Sequence, residues 1–282
     1  MAHPARELKI RGLRPLKSLG QNFLNDPALA FSIVESAGLN KEDTAVEIGP
    51  GLGAITRFLA EKAGAVVAVE IDRGLAAALI EDFADRPQVR VIHEDFLKID
   101  LAALADEAGR PLRILGNLPY SITSPVLFKL FESARVIHSA TLMVQREVGT
   151  RILAGPGTKT YGFLSVIAQY YAAAQLLFDA PPSSFHPRPK IDSSVLRFDF
   201  TKPFVPRASD DNIFRQVVKA SFSMRRKMLK NCLTRSGLFN LQETQIVRAL
   251  EECGVDPKTR AEEVALGRFV ELTDKLLALQ NQ

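Results

Sequence analysis

Apolar residues fall in short continuous runs through the first two hundred positions. The runs Ala45–Ile48, Val66–Ile71, Val89–His93, Arg113–Leu115 and Ala140–Val144 are each compact and bounded by Gly, Pro or Asp. Unbroken apolar strands separated by helical patterns predict a parallel sheet buried on both faces. The helices carry start and stop signals. Asp26–Pro27 reads as N-cap and first helical residue, Leu29 and Ile33 share a face, and Gly38 is the stop. Ile55, Phe58 and Leu59 follow helical spacing, and Ser124–Pro125 opens a further helix carrying Val126, Leu127, Leu130 and Phe131. Ser194–Phe200 differs: Leu196, Phe198 and Phe200 alternate with Arg197 and Asp199, which predicts a half-exposed antiparallel strand near the sheet edge. Pro203 and Pro206 follow, and beyond them only helical patterns occur, with Phe214, Val217, Val218 and Phe222 on one face. Thr259–Arg260–Ala261–Glu262 reads as a capping box before the terminal helices. The expected organisation is an α/β domain over 1–203 and a smaller helical domain over 204–282.

Composition narrows the class. Of 282 residues, 46% are hydrophobic and 24% charged, which is ordinary globular material. No apolar run reaches the roughly 18 residues of a membrane-spanning helix, and the first residues lack the apolar core of a secretory signal. Two cysteines without a C-x-x-C, and four histidines without ligand spacing, argue against a disulfide framework or a metal site, and fit a reducing, cytoplasmic setting. The net charge of +4 hints at a polyanionic partner. Its placement says more. Arg215, Lys219, Arg225, Arg226, Lys227, Lys230 and Arg235 occur in a stretch with no acidic residue, the pattern of a nucleic-acid contact.

The first strand runs into Val46–Glu47–Ile48–Gly49–Pro50–Gly51–Leu52–Gly53. Its glycines permit a tight turn and close approach of a ligand to the main chain. The spacing is G-x-G-x-G, not the dinucleotide G-x-G-x-x-G, and Glu47 beside it would repel a pyrophosphate but attract a cation. Glu70 ends the second strand, about 20 residues past the glycines, where a carboxylate suits ribose hydroxyls. Asp95 follows the third strand and suits an adenine amine, although a helix cap is an alternative for it. Asn117 follows the fourth. In a doubly wound sheet all of these face one crevice.

Gly116–Asn117–Leu118–Pro119–Tyr120 then resembles the Asn-x-Pro-Tyr motif of S-adenosylmethionine-dependent methyltransferases that act on a planar, conjugated NH2. Such an amine is a poor nucleophile. The Asn117 side-chain oxygen and the Leu118 carbonyl would accept its two N–H bonds, Pro119 would hold that carbonyl, and Tyr120 would stack on the base. Leu19–Gly20–Gln21–Asn22–Phe23–Leu24 resembles the segment that closes over the cofactor in rRNA adenine N6-dimethyltransferases. Phe185–His186–Pro187–Arg188–Pro189–Lys190–Ile191–Asp192–Ser193 resembles that family's F-x-P-x-P-x-V-D-S motif, with Ile191 replacing Val. Phe222–Asn231 resembles the basic segment of the branch that modifies small-subunit rRNA.

The resemblance covers nearly the whole chain. It implies a Rossmann-like methyltransferase domain with a mostly parallel seven-stranded sheet, and an all-helical C-terminal domain. The implied donor is S-adenosyl-L-methionine, touched by Asn22, Leu24, Glu47, Gly49, Gly51, Glu70, Asp95 and Asn117. It implies catalysis by Asn117, Leu118, Pro119 and Tyr120, with Phe185 stacking on the adenine opposite Tyr120. It implies RNA contacts by Arg225, Arg226, Lys227 and Lys230, 16S rRNA in the small subunit or its precursor as partner, and no metal. Three other readings stay open at this point: a resistance-type enzyme for large-subunit rRNA, a protein glutamine methyltransferase, and an assembly factor with secondary catalysis. Gln145–Arg146–Glu147 and the chain to Tyr161 receive no chemistry.

Overall fold

Local capping chemistry lays out the N-terminal half. The computed structural model describes residues 3–16 and 19–280. After α1 (Pro4–Ile10) and the short β1 (Phe23–Leu24) comes α2 (Pro27–Ala37). Asp26 accepts the N–H groups of Ala28 and Leu29, Pro27 fills the first turn, and Gly38 closes the helix at φ 63°. Strands and helices then alternate: β2 (Thr44–Ile48), α3 (Thr56–Lys62), β3 (Ala65–Glu70), α4 (Arg73–Asp82), β4 (Val89–His93), α5 (Leu101–Ala108), β5 (Leu112–Asn117), α6 (Thr123–Glu132) and β6 (Ile137–Gln145). These five strands pair in parallel. Next come α7 (Arg146–Ile152), α8 (Phe163–Tyr171), β7 (Ala173–Ala180), β8 (Phe185–His186) and β9 (Ser193–Asp199). The seven-stranded sheet runs β4-β3-β2-β5-β6-β9-β7, with β9 antiparallel to β6. This is the Rossmann-like arrangement that the resemblance implies. The chain moves outward from β2 to β4 and then returns to β5, so the order reverses between β2 and β5. A ligand crevice opens at the C-terminal ends of strands at such a reversal.

Several details differ from the pattern-based expectations. The fourth expected strand is longer, so Asn117 is the last residue of β5 rather than a loop residue. The helix expected from Ser124 starts at Thr123. β9 is antiparallel and second from the sheet edge, as expected, but it is not half-exposed: Ser193–Leu196 and Phe198 are buried. The reason is β7, which lies beside β9 and takes the edge position. Its sequence, AAQLLFDA, buries only Ala180, so it lacks the unbroken apolar run that betrays the inner strands. The capping box is displaced by one residue. The Glu263 carboxylate accepts the Arg260 N–H, and the element it caps is one 3-10 turn, Ala261–Glu263.

The chain forms two compact units: the residues up to Gly149 with Ala174–Thr201, and Thr150–Ala173 with the residues from Lys202 onward. The division expected at 203/204 differs by one segment, 150–173, which belongs with the helices α9 (Asp211–Ser221), α10 (Leu229–Ser236), α11 (Glu243–Glu252) and α12 (Leu266–Gln280). Packing explains it. The Tyr170 ring stacks on Phe214 at 3.9 Å between centroids, and the Arg207 guanidinium lies 3.8 Å over Tyr170. The Tyr161 hydroxyl donates to the Val264 carbonyl at 3.0 Å.

Gly116 sets how closely β5 approaches β2 just before Asn117. A Cβ there would sit 2.9 Å from the Ile48 carbonyl oxygen and 3.1 Å from Ile48 Cβ. Backbone cannot yield as a flexible side chain does. Gly116→Ala is therefore expected to destabilise the protein by roughly 1–3 kcal/mol in urea unfolding. An unchanged midpoint would show that the strands have slack.

Candidate active site

One cleft lies along the ends of β2, β3 and β5, and the segment Leu19–Leu24 forms part of its wall. The glycine turn after β2 forms the floor. Gly49, Gly51 and Gly53 all have positive φ. At Gly49 a Cβ would meet nothing within 4 Å, so the backbone there is open to a ligand. At Gly51 it would lie 3.0 Å from the Phe23 ring. This second glycine thus makes room for the N-terminal segment.

The acids at the strand ends have different partners. Glu70 is 4% exposed, and its carboxylate accepts the N–H of Gly51 at 3.0 Å and of Asp72 at 2.9 Å. Burial raises its pKa, against the pull of those backbone bonds. Each oxygen keeps a lone pair for a further donor. Asp95 lines the cleft and also caps a 3-10 turn, accepting the Leu97 N–H at 2.9 Å, so the cap reading and the cleft reading coincide. Glu47 is buried beneath the glycine turn, where Thr56 Oγ1 donates to it at 2.6 Å. Desolvation, with Glu70 nearby as a smaller cause, pushes its pKa up to about 8. Apolar residues follow the acids: Ile71, 48% exposed, comes after Glu70, and the buried Phe96 comes after Asp95. Both line the cleft.

The Asn117–Tyr120 loop closes one end. The Asn117 Nδ2 donates to the Asn22 carbonyl at 3.0 Å, which leaves Oδ1 as the free acceptor of that amide. The Leu118 N–H is held by the Met143 carbonyl at 3.0 Å. Among the described residues no group donates to the Leu118 carbonyl. Pro119 accepts from the Ile122 N–H and the Thr123 hydroxyl, which anchors the loop to the start of α6. The Tyr120 hydroxyl lies 3.1 Å from the Ser193 hydroxyl. Asn22 and Leu24 also line the cleft, Asn22 with its side chain turned back to the Gly20 carbonyl.

Phe185 departs from its expectation. It is 3% exposed and is not among the cleft residues. The β1/β8 register pairs it with Leu24, and its ring packs in the apolar cluster of Ala30, Ile33 and Val34. It supports the cleft wall rather than offering a stacking face.

The basic group lies in the second unit. Arg225, Arg226 and Lys227 are exposed in the turn between α9 and α10, not on a helix face. Arg225 donates to the Lys159 carbonyl at 3.0 Å and lies 3.9 Å from Glu262. Lys230 is more committed, with its ammonium 2.8 Å from Glu243. Lys159 and Arg260 share one depression with Arg225 and Arg226. Neither stands out in the sequence, because each lies far from the basic run. Nor does Thr56 stand out, although it sits three residues past the last glycine of the motif.

Glu47 yields a pH prediction. An acid whose folded pKa exceeds its unfolded one favours the fold only while protonated. Stability from this group is therefore full below about pH 4.5 and falls as pH rises toward about 8. Glu47→Gln keeps an acceptor for Thr56 and removes the titration. At pH 7 it is expected to be more stable than the parent by on the order of 3 kcal/mol, with the gap closing toward acid pH. Urea unfolding across pH measures it, and a gap independent of pH would refute the assignment.

A model of the family described as ribosomal RNA adenine dimethylase matches residues 13–277. Ribosomal RNA small subunit methyltransferase A of Geobacter metallireducens is 43% identical over 270 residues, covering 95% of this chain and 98% of that one. The protein of the same name from Shouchella clausii is 43% identical over 282 residues, covering 98% and 95%. Among solved structures, a dimethyladenosine transferase from Plasmodium falciparum shares the fold with a TM-score of 0.74 at 22% identity, over 89% of this chain and 95% of that one. The 23S rRNA methyltransferase ErmE gives 0.68 at 25% identity, over 90% and 99%. A cleft at the β2/β5 reversal, an amide-and-carbonyl acceptor pair and relatives matched along almost their full length converge on one assignment: the chain belongs to the ribosomal RNA adenine dimethylase family and is an S-adenosylmethionine-dependent rRNA methyltransferase.

Proposed function

We propose that this protein dimethylates the N6 amines of two adjacent adenosines near the 3′ end of 16S rRNA, in the cytoplasmic small subunit or its precursor. S-adenosyl-L-methionine fits the cleft on chemical grounds. Gly49 leaves the backbone open, Ile71 and Phe96 give apolar surface beside a purine site, and Glu70 and Asp95 give acceptors for hydroxyls and an amine. Glu47, Glu70 and Asp95 together favour a cationic ligand. When bound, that cofactor supplies an electrophilic methyl group on a sulfonium. Asn22, Leu24 and Gly51 complete the wall around it.

The observation that carries the reading is the acceptor pair. The Asn117 amide is fixed by its donation to Asn22, which leaves Oδ1 as its acceptor, and the neighbouring Leu118 carbonyl has no donor among the described residues. Two acceptors on consecutive residues suit the two N–H bonds of an exocyclic amine. Accepting both draws the nitrogen toward a pyramidal shape and frees its lone pair for attack. Pro119 and Tyr120 hold and flank the base. No His, Lys or Arg lines the cleft among the described residues, which agrees with catalysis by positioning. After the first transfer one N–H remains, so one of the two acceptors faces a methyl group in the second. The 43% identity to small-subunit enzymes supports the small-subunit substrate over the large-subunit alternative.

Exposed Arg225, Arg226 and Lys227, with Lys159 and Arg260 beside them, suit phosphate contacts that read shape rather than base edges. Lys230 contributes there once it is released from Glu243.

Asn117→Ala is expected to lower methyl transfer to unmethylated small subunits by roughly a hundredfold or more. Its affinity for S-adenosylhomocysteine is expected to stay within about threefold of the parent. Normal turnover would remove Asn117 from the chemistry. Replacing Arg225, Arg226 and Lys227 by Ala is expected to weaken rRNA binding and to flatten its salt dependence, by roughly 0.7–0.9 in log–log slope for each phosphate no longer neutralised. An unchanged slope would make the turn structural.

A further inference from the structure

Two segments have no role in the reading above: the end of the Phe185–Ser193 motif and Gln145–Arg146–Glu147. The structure brings them together behind Tyr120. Gln145, the last residue of β6, is the register partner of Ser193, the first of β9. The Arg146 N–H donates to the Asp192 carbonyl at 3.1 Å, and its guanidinium lies 3.2 Å from the Asp192 carboxylate. That ion pair is well exposed and contributes little by itself. The backbone pairing does most of the pinning. Ser193 is fully buried, and its hydroxyl lies 3.1 Å from the Tyr120 phenol oxygen. Tyr120 is half-buried and lines the cleft beside Asn117. Its hydroxyl is thus tied to a rigid strand end while the rest of the residue borders the substrate site.

We propose that Ser193 is a positioning residue for methyl transfer, holding the Tyr120 ring at a fixed angle through the bond between the two hydroxyls, with the Arg146–Asp192 strand end as its support. This rests on the reading of Tyr120 as the surface against which the target base lies. A tyrosine has two side-chain torsions, and the hydroxyl is the atom farthest from the backbone. Tethering that atom removes the swing that would let the base drift from the line of attack. The motif's contribution to the site is then its Asp192–Ser193 end, while Phe185 packs beneath the wall. Sequence offers no hint of the partnership, since the two residues lie in separate motifs and meet only through the β6/β9 register.

The test is a double-mutant cycle in the full-length enzyme, with unmethylated small ribosomal subunits as substrate. Tyr120→Phe, Ser193→Ala and the double variant are each expected to lower kcat by about fivefold, the usual weight of one neutral hydrogen bond. The double variant loses no more than either single one, because both remove the same bond. The KM for S-adenosylmethionine and the melting temperature stay at parent values, which a merely structural role of Ser193 would not predict. Parent kcat in either single variant, or additive losses in the double, would overturn the proposal. Should Ser193→Ala fail to fold, Tyr120→Phe removes the bond from the cleft side and decides alone. Tyr120→Ala tests the underlying reading separately. Full activity in that variant would end Tyr120's role altogether. Loss there with parent rates in Tyr120→Phe and Ser193→Ala would end only the role of Ser193.

Discussion

The site depends on one hydrogen bond between distant parts of the chain, from the Asn117 side-chain amide to the Asn22 carbonyl. An amide is a donor at one end and an acceptor at the other. Fixing the donor end decides what the other end offers to a substrate. Without Asn22 the amide is free to turn, and the acceptor is no longer defined. This bond in turn needs β5 to deliver Asn117 to the right height, which the close β2/β5 approach at Gly116 provides, and it needs the segment before β1 to lie across the cleft.

The N-terminal segment is held by packing and charge as well as by the short β1/β8 pairing. Leu8, Phe23, Leu52 and Leu75 form a small cluster with Leu13 against it. Arg11 reaches both oxygens of Asp82 at 2.7 Å. Two glycines exist partly to admit this segment. A Cβ on Gly74 would lie 2.6 Å from Leu13, and one on Gly51 3.0 Å from Phe23. The glycine motif therefore serves two masters: Gly49 opens the main chain to a ligand, and Gly51 makes space for the wall that covers it.

Much of this is legible in sequence because the signals are local. Asp26, Pro27 and Gly38 act within one turn of α2, and the inner strands announce themselves by unbroken apolar runs. The strand-end residues Glu70, Asp95 and Asn117 follow from a single topological rule, and the structure brings them to one cleft. What stays hidden depends on partners far along the chain. β7 is half-exposed and its apolar residues are interrupted by Gln175 and Asp179, and its strand state comes from β9 beside it. Residues 150–173 look like part of the sheet domain until Tyr170 meets Phe214. Phe185 matches its motif, but its orientation is set by the β1/β8 register, which no single segment encodes.

Burial of two carboxyl groups in one cleft carries a consequence for binding. Glu47 sits near neutrality because its charged form lacks solvent and faces Glu70. A cation beside such a group would oppose that shift, since it favours the ionised form. Although the Thr56 hydroxyl donates to it, the buried Glu47 carboxyl lowers stability at neutral pH, and an opposite charge in the cleft would offset that cost.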